Sequence, residues 1–174
     1  MSRYAKDVNK YLVAIKKGDK SKYQPLFDLT ANHLLGVAAY YLTDRSYCED
    51  VVSIVFEKIF RYIDTYKEGH DAYNWICRIT ENTAHDINDA LKDEVALDSL
   101  IPSCGREICE TVYDEKLDVT RAIDKLDSID REIVYGYYFF DKSYQKIADE
   151  LNLAKSTIKK RMDKILIELK DFLK

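Results

Sequence analysis

The sequence predicts an all-α protein made of two small helical domains joined by an acidic linker. Its 174 residues include five glycines and two prolines, which is about a third of the usual share of helix breakers. Apolar residues recur at helical spacing except between residues 96 and 111, a stretch that holds Pro102 and Gly105. We therefore predict a helical domain at 1–95, a linker at 96–111 and a second helical domain at 112–174.

Charge is distributed unevenly along this chain, whose net charge is −4. Residues 1–95 carry 13 basic and 15 acidic side chains, residues 96–118 carry 2 and 6, and residues 119–174 carry 12 and 10. This balance excludes a uniformly basic nucleic-acid protein but allows a basic surface near the C-terminus. The glycines are too far apart for GxGxxG or GxxxxGK, which excludes the Rossmann and P-loop types of nucleotide site.

No segment has the pattern of a secretory signal or a membrane span. The longest uncharged stretch, from Leu29 to Thr43, is too short to cross a bilayer and contains polar residues. The four cysteines form no CxxC pair, so we expect reduced thiols. The sequence thus predicts a cytoplasmic protein without membrane insertion, cofactor or resident metal.

Four helices are predicted in the first domain. The first ends before Gly18, the second has to begin near Pro25, because proline fits only the first turn, and the third begins near Asp44 or Ser46. Asp71 is a suitable N-cap for the fourth. The apolar faces of these helices predict a common core. In chain order they are formed by Val8, Tyr11, Leu12, Ile15, Leu26, Phe27, Thr30, Leu34, Val37, Ala38, Tyr41, Val51, Val52, Val55, Phe56, Ile59, Phe60, Ile63, Trp75, Ile76, Ile79, Thr83, Ile87 and Leu91.

The second domain is predicted to contain four helices. The first runs through residues 119–126, and the second is short, opened by Ser128 or Asp130, and ends in an aromatic run at 135–140. The last two occupy about 143–151 and 155–173. This part of the chain is therefore also fully helical.

The last two helices have the organisation of a helix-turn-helix. Ser143 can cap the first of them, and Asn152 can end it in the left-handed conformation. Between Lys155 and Lys164 there are five basic residues and one acidic residue, on the side opposite an apolar stripe through Ile158. This pattern favours a DNA-recognition helix, and the alternative is a solvated basic face on a packing helix.

Three blocks of the sequence resemble conserved regions of bacterial sigma factors. Region four is similar to the block AIDKLDSIDREIVYGYYFFDKSYQKIADELNLAKSTIKKRMDKILIELK. Region two is similar to the blocks CEDVVSIVFEKIF and NWICRITENTAHD. Their order and spacing resemble the compact extracytoplasmic-function (ECF) class, over about residues 23–91 and 119–173.

The resemblance implies a promoter-specificity subunit of bacterial RNA polymerase, with no catalytic residue. Region two of the family docks on the clamp helices of the largest polymerase subunit and opens the −10 promoter element. Region four reads the −35 element and grips the flap of the second-largest subunit. An anti-sigma factor is a further partner to be considered.

Carried over residue by residue, the resemblance assigns three candidate surfaces. Core polymerase is expected to contact Asp50, Val51, Val55, Lys58, Ile59 and Phe60. The unpaired −10 strand is expected at Tyr66, Tyr73, Asn74, Arg78 and Asn82. The −35 duplex is expected at Lys155, Ser156, Thr157, Lys159, Lys160, Arg161 and Lys164.

The chain departs from the family pattern at two places. Ser53 and Ile54 replace the usual Gln-Glu pair of the polymerase-facing block. From 72 to 92 only Arg78 and Lys92 are basic, where relatives usually carry a basic cluster. We therefore expect weak duplex contact by the first domain and contacts to unpaired bases instead.

Other functions remain open at this point. The chain could be a free-standing helix-turn-helix regulator that acts without polymerase. Arg78 and His85 have the R-x6-H spacing of helical ribonucleases of the HEPN type. A redox pair or a zinc site could also be formed by the cysteines outside the predicted helices, with Cys104 and Cys109 as the pair and His33, His70 or His85 as added ligands.

Overall fold

The structure, a computed structural model, describes residues 5–69, 71–92 and 119–172. It divides into two compact units, Met1–Arg106 and Glu107–Lys174. Every regular element in the described ranges is helical, which confirms the all-α fold predicted from the sequence.

Four helices form the first unit. They are α1 (Ala5–Lys16), α2 (Tyr23–Tyr41), α3 (Cys48–Tyr62) and α4 (Ala72–Ala90). Helix α4 packs against the other three helices, and α2 also packs against α1 and α3. The core between them is formed by side chains that are at most 1% exposed, among them Leu12, Leu26, Leu34, Val51, Val55, Ile59, Ile76 and Ile87.

Local polar groups start the helices of the first unit. The Asp71 carboxylate accepts a hydrogen bond from the backbone N–H of Asn74 at 3.2 Å, so it caps α4 as predicted. The Asp44 carboxylate accepts from the backbone N–H of Ser46 at 2.9 Å and opens a 3₁₀ turn that leads into α3. Pro25 lies in the first turn of α2, where its missing N–H costs no intrahelical bond.

The second unit also contains four described helices. The described part of α5 covers 119–124, and it is followed by α6 (Ser128–Val134), α7 (Tyr144–Leu151) and α8 (Lys155–Phe172). The aromatic run after α6 forms a π-helical turn at Tyr135–Phe139. This turn continues α6 and precedes the segment that leads to α7.

The residue that caps α6 differs from the prediction. Asp127 is the N-cap, because its carboxylate accepts from the backbone N–H of Asp130 at 2.8 Å. Ser128 and Asp130 were the predicted caps, and all three are residue types that cap helices. Asp130 instead lies inside the helix and is only 4% exposed.

Helices α7 and α8 form the predicted helix-turn-helix. The Ser143 hydroxyl accepts from the backbone N–H of Lys146 at 3.2 Å and caps α7. Asn152 ends α7 with a φ of 54°, in the left-handed region that asparagine tolerates. Ile147 of α7 is buried, and α8 buries Ile158 and Met162 in the same unit.

Candidate nucleic-acid and partner interfaces

Helix α8 presents a basic face to solvent on the side opposite its buried stripe. Ile158 and Met162 are at most 1% exposed, whereas Lys155, Lys159 and Lys160 are exposed. Within the described residues, these three ammonium groups have no carboxylate within ion-pair distance. They are therefore available to neutralise the charge of an incoming polyanion.

The remaining residues of the predicted −35 set differ in their surroundings. Ser156 is exposed and Thr157 is half-buried at the start of α8. Lys164 is exposed and pairs with Glu168 one turn later, with 3.1 Å between Nζ and Oε1. Exposed pairs of this kind contribute little to stability, so Lys164 can exchange Glu168 for another anion.

Arg161 is committed to its own unit. Its Nε donates to Oδ1 of Asp130 at 2.6 Å, and its Nη2 donates to Oδ2 of Asp127 at 2.9 Å. The hydrogen bond to Asp130 raises the pKa of the guanidinium above its usual value. In this structure Arg161 therefore joins α8 to the start of α6, and its contact with the −35 element stays a prediction.

Two aromatic residues of the predicted −10 set belong to the core. Tyr66 and Tyr73 are each 1% exposed, so neither ring can stack on an unpaired base, and the prediction for both was wrong. The Tyr66 hydroxyl donates to Oδ1 of Asn9 at 2.5 Å. The Tyr73 ring meets the edge of His33, with 6.4 Å between ring centroids. Tyr73 lies on the face of α4 that also buries Ile76, three residues later.

An open pocket of about 320 Å³ lies at the start of α4. Its polar lining includes Asn74 and Arg78, which are one turn apart on the exposed side of the helix. Its aromatic lining consists of Trp75 and Tyr66, with 5.2 Å between their ring centroids. The pocket therefore combines an aromatic surface, an amide and a cation.

Trp75 was assigned to the core by its helical spacing, and this assignment is corrected. The side chain is half-buried and lines the pocket beside Lys67 and Asp71. An aromatic residue in the first turn of a helix that follows a polar loop was the sequence signal for a surface role. Spacing alone did not separate it from its buried neighbour Ile76.

The orientation of the Asn74 amide is set by Asp71. Nδ2 of Asn74 donates to Oδ2 of Asp71 at 2.8 Å, while the other carboxylate oxygen accepts the backbone N–H of Asn74. A carboxylate only accepts hydrogen bonds when ionised, so the amide nitrogen has to face it. The carbonyl oxygen of Asn74 is then the atom left for another donor.

Asn82 lies apart from this pocket, in a second hollow of about 460 Å³ between α3 and α4. Lys58 lines the same hollow and donates to Oδ2 of Asp86 and to Oγ1 of Thr83, both at 3.0 Å. Lys58 thus bridges α3 to α4. Its ammonium is partly satisfied within the unit.

Half of the predicted polymerase block is core. Val51, Val55 and Ile59 have no exposed surface, so they cannot touch a partner in this structure, and their placement on the interface is corrected. Ile54, which replaces a polar residue of the family pattern, is also buried at 8% exposure. The substitution therefore adds apolar contact to the core of the unit. Asp50 is half-buried near the start of α3.

Phe60 is the most exposed aromatic residue described in the first unit, with 53% of its surface accessible. Its ring packs on Tyr23 with 5.3 Å between centroids, and Nζ of Lys20 lies 6.0 Å from the ring centroid. Tyr62, two residues later, is 47% exposed. The end of α3 therefore presents an apolar surface edged by positive charge.

The alternative sites find limited geometric support. Arg78 and His85 are both exposed, and the His85 ring contacts Tyr41 at 5.4 Å between centroids. Within the described ranges no three metal-ligating side chains come together. Burial raises the pKa of the Cys48 thiol to about 12, which keeps it protonated and unreactive.

Some sequence predictions fall outside the described residues. These are the acidic linker at 96–111, the Cys104 and Cys109 pair, and His70. In the part of the chain that is described, no helix has the length and apolar character needed to cross a bilayer.

Two family models match the chain. The model of Sigma-70 region 2 matches residues 26–93, and the model of Sigma-70 region 4 matches residues 116–169. Together the matches cover more than two thirds of the sequence. The first includes the pocket at the start of α4, and the second includes the basic face of α8.

The chain is also similar to individual proteins. The chain is 22% identical to the ECF RNA polymerase sigma factor SigK of Mycobacterium ulcerans (strain Agy99), over 96% of this chain and 94% of the relative. Among solved structures, CnrH in complex with the cytosolic domain of CnrY gives a TM-score of 0.50 at 17% identity, covering 95% of this chain and 96% of CnrH. RpoE in complex with the anti-sigma factor NepR from Bartonella quintana gives 0.46 at 19% identity, covering 87% and 96%. The likeness to CnrH is one of fold.

Proposed function

This chain belongs to the sigma-70 family as an ECF sigma factor, and from that premise we propose that it binds core RNA polymerase and directs it to promoters. Helix α8 reads the −35 element, and the pocket at the start of α4 accepts an unpaired base of the −10 element. The role requires no catalytic residue and no cofactor of its own. It is exercised in the cytoplasm, where bacterial transcription takes place.

The −35 role rests on the basic face of α8, which is the observation that carries the proposal. Lys155, Lys159 and Lys160 are exposed on the second helix of a helix-turn-helix, in a chain whose net charge is −4. Recognition helices of this motif enter the major groove with their N-terminal residues. Lys155 and Ser156 lie in that first turn, and the other two lysines follow on the next.

The −10 role rests on the pocket beside Trp75. Its aromatic surface can stack on a base that has left the duplex, and Arg78 can neutralise an adjacent phosphate. Only Arg78 and Lys92 are basic between 72 and 92, so α4 gains little from counterion release on duplex DNA. It therefore depends on polymerase to present the opened strand.

The polymerase contact is centred on Phe60 and Tyr62. Aromatic residues are enriched at protein interfaces, and both rings are about half exposed at 53% and 47%. Asp50 and Lys58 lie on the same helix and supply polar contacts. Val55 and Ile59 act from beneath, by holding α3 on the core.

An anti-sigma factor is the further partner expected for this chain. CnrH and RpoE were each solved with a protein partner, which for RpoE is an anti-sigma factor. Purification of the chain from its own host, followed by mass spectrometry of the proteins that accompany it, would identify such a partner. Core polymerase subunits should be found in the same experiment.

Runoff transcription with purified core polymerase on a promoter library tests the proposed function. We expect discrete transcripts that require the chain and that share a pair of sequence elements. Binding of duplex DNA without any effect on core polymerase would instead indicate a free-standing regulator. RNA cleavage that disappears in His85→Ala would overturn the non-enzymatic role.

A further inference from the structure

Helix α1 is hydrogen-bonded to the segment that connects α3 with α4. Nζ of Lys16 donates to the backbone carbonyl of Asp64 at 2.8 Å and to that of Tyr66 at 2.7 Å. The residues joined are 48 and 50 positions apart in the sequence. One ammonium group thus fixes two carbonyls of a segment that has only a short 3₁₀ turn of its own.

A second contact joins the same two parts of the first unit. The Tyr66 hydroxyl donates to Oδ1 of Asn9 at 2.5 Å, and the Tyr66 ring is 1% exposed. Asn9 and Lys16 are seven residues apart, so they lie on the same face of α1 two turns from each other. Helix α1 therefore holds both the backbone and the side chain of Tyr66.

These contacts reach the pocket directly. Residues 65–67 of the connecting segment line it together with Trp75 and Arg78 of α4. The Tyr66 ring, whose hydroxyl is hydrogen-bonded to Asn9, packs on Trp75 with 5.2 Å between centroids. Any shift of the connecting segment relative to α4 therefore changes the shape of the pocket.

We propose that Asn9 and Lys16, which we call the α1 anchor, are positioning residues that set the width of the pocket for an unpaired promoter base. The inference rests on the proposed function of this pocket. A binding site that is already ordered avoids the entropy cost of ordering when its ligand arrives. Neither residue of the α1 anchor lines the pocket, so its effect is exerted through Tyr66.

Trp75 allows the anchor to be tested without DNA. It is the single tryptophan of the chain and lies against Tyr66, so its fluorescence reports on the position of the connecting segment. In the full chain, Lys16→Met should shift the emission maximum of Trp75 and increase its quenching by acrylamide. Lys17→Met is the matched control, because Lys17 is the exposed residue next to Lys16 and its substitution removes the same charge. Lys16→Arg keeps a cation that can donate to both carbonyls and should restore the wild-type signal.

The second measurement uses holoenzyme. On a duplex promoter, Lys16→Met should reduce open-complex formation about tenfold, the order expected when a single charged donor and its hydrogen bonds are lost. Tyr66→Phe, which removes a single hydroxyl, and Asn9→Leu should act in the same direction. Circular dichroism before the assay confirms that each variant is folded, and Tyr66→Phe keeps the test available if Lys16→Met does not fold.

The outcomes separate the anchor from the proposed function. Trp75 fluorescence that is identical in Lys16→Met and Lys17→Met overturns the anchor, whatever transcription shows. A changed signal with wild-type open-complex formation overturns the role of the pocket in promoter opening and leaves only a structural contact. A changed signal with impaired opening, both restored by Lys16→Arg, supports the inference.

Discussion

Nε of Arg161 donates a hydrogen bond of 2.6 Å to Oδ1 of Asp130, a carboxylate whose side chain is only 6% exposed. A second bond of 2.9 Å joins Nη2 to the N-cap residue Asp127. The arginine lies on α8 and both carboxylates lie at the start of α6. One positive charge of α8 is therefore used to orient that helix within its own unit.

Replacing Arg161 with methionine should destabilise the second unit by about 3 kcal/mol, because it leaves the buried carboxylate of Asp130 without its cation. We place the cost at the low end of the range for broken buried pairs, since the side chain of Arg161 is 31% exposed. Hydrogen exchange of the α6 and α8 amides in the full chain measures the effect. Lys160→Met, on the exposed side of α8, should change protection by no more than about 0.5 kcal/mol. Equal exchange in both variants would show that the ion pair is not needed.

The stability of the second unit should fall in acid through Asp127. The backbone N–H of Asp130, and then the Arg161 guanidinium, lower the pKa of this carboxyl below its ordinary value of 3.8. A group whose pKa is lower in the folded state stabilises the fold above the unfolded pKa, and this contribution is lost as the pH falls through the folded pKa. We expect the loss below about pH 4, and expect Asp127→Asn, which keeps an oxygen acceptor, to reduce it. Acid titration followed by circular dichroism measures this, and Asp163→Asn on α8 serves as the control.

The parts of the structure that the sequence predicted well depend on local chemistry. Asp71, Ser143 and Asn152 act on backbone groups within a few residues, so their types and positions were sufficient to place helix ends. The basic face of α8 was also readable, because the helical period separates it from Ile158 and Met162. The sequence did not predict that Asp127, and not Ser128 or Asp130, caps α6, since Ser and Asp are both residue types that cap helices.

The misassigned site residues depend on contacts between distant parts of the chain. Tyr66 is buried because Asn9, 57 positions earlier, accepts its hydroxyl hydrogen bond. Val55 on α3 and Tyr73 on α4 are buried because these two helices pack against each other and both pack against α2. Similarity between short motifs identifies a helix, but the residues it exposes depend on everything that packs around it.

Lys159 should contribute to −35 binding by contacting either a phosphate or a base edge. The two kinds of contact have different effects on affinity, salt dependence and promoter specificity. If the contact is to a phosphate, Lys159→Ala lowers the affinity of holoenzyme for all promoters. It also reduces the slope of log affinity against log salt concentration by about one. If the contact is to a base, the variant loses about 1–3 kcal/mol and relaxes specificity at one position. Lys170→Ala, near the other end of α8, removes an equal charge and is the control. An affinity and promoter choice equal to those of the control would contradict the recognition-helix assignment.

Phe60→Ala should weaken binding to core polymerase about tenfold while the helical content stays unchanged, because a half-exposed ring carries interface contacts rather than core packing. Val55→Ala should instead lower the free energy of unfolding, since Val55 is fully buried. Affinity measured by competition with a labelled sigma factor, and melting followed by circular dichroism, separate the two effects. Phe172→Ala is a control of similar exposure, at 45%, in the second unit. Wild-type affinity of Phe60→Ala would place the polymerase contact elsewhere.

The base accepted by the pocket should carry an exocyclic amine, because Asp71 turns the amide nitrogen of Asn74 toward itself and leaves the carbonyl oxygen as an acceptor. Adenine, cytosine and guanine each carry such a donor, whereas thymine has no exocyclic amine and offers an acceptor at O4. We expect thymine at this position of the −10 element to weaken binding of the opened strand by about 1–3 kcal/mol, because its carbonyl oxygen and that of Asn74 would face each other without a donor.

The variant Asp71→Ser isolates the cause of this preference, because serine still caps α4 but no longer holds the amide nitrogen. Asn74 can then rotate and present either its donor or its acceptor, so the discrimination against thymine should shrink while binding of the opened strand persists. Permanganate footprinting and open-complex lifetimes on promoters that differ at single −10 positions measure both quantities. Asn74→Leu removes the acceptor and should abolish the preference altogether. A preference that survives in Asn74→Leu would mean that another group reads the base.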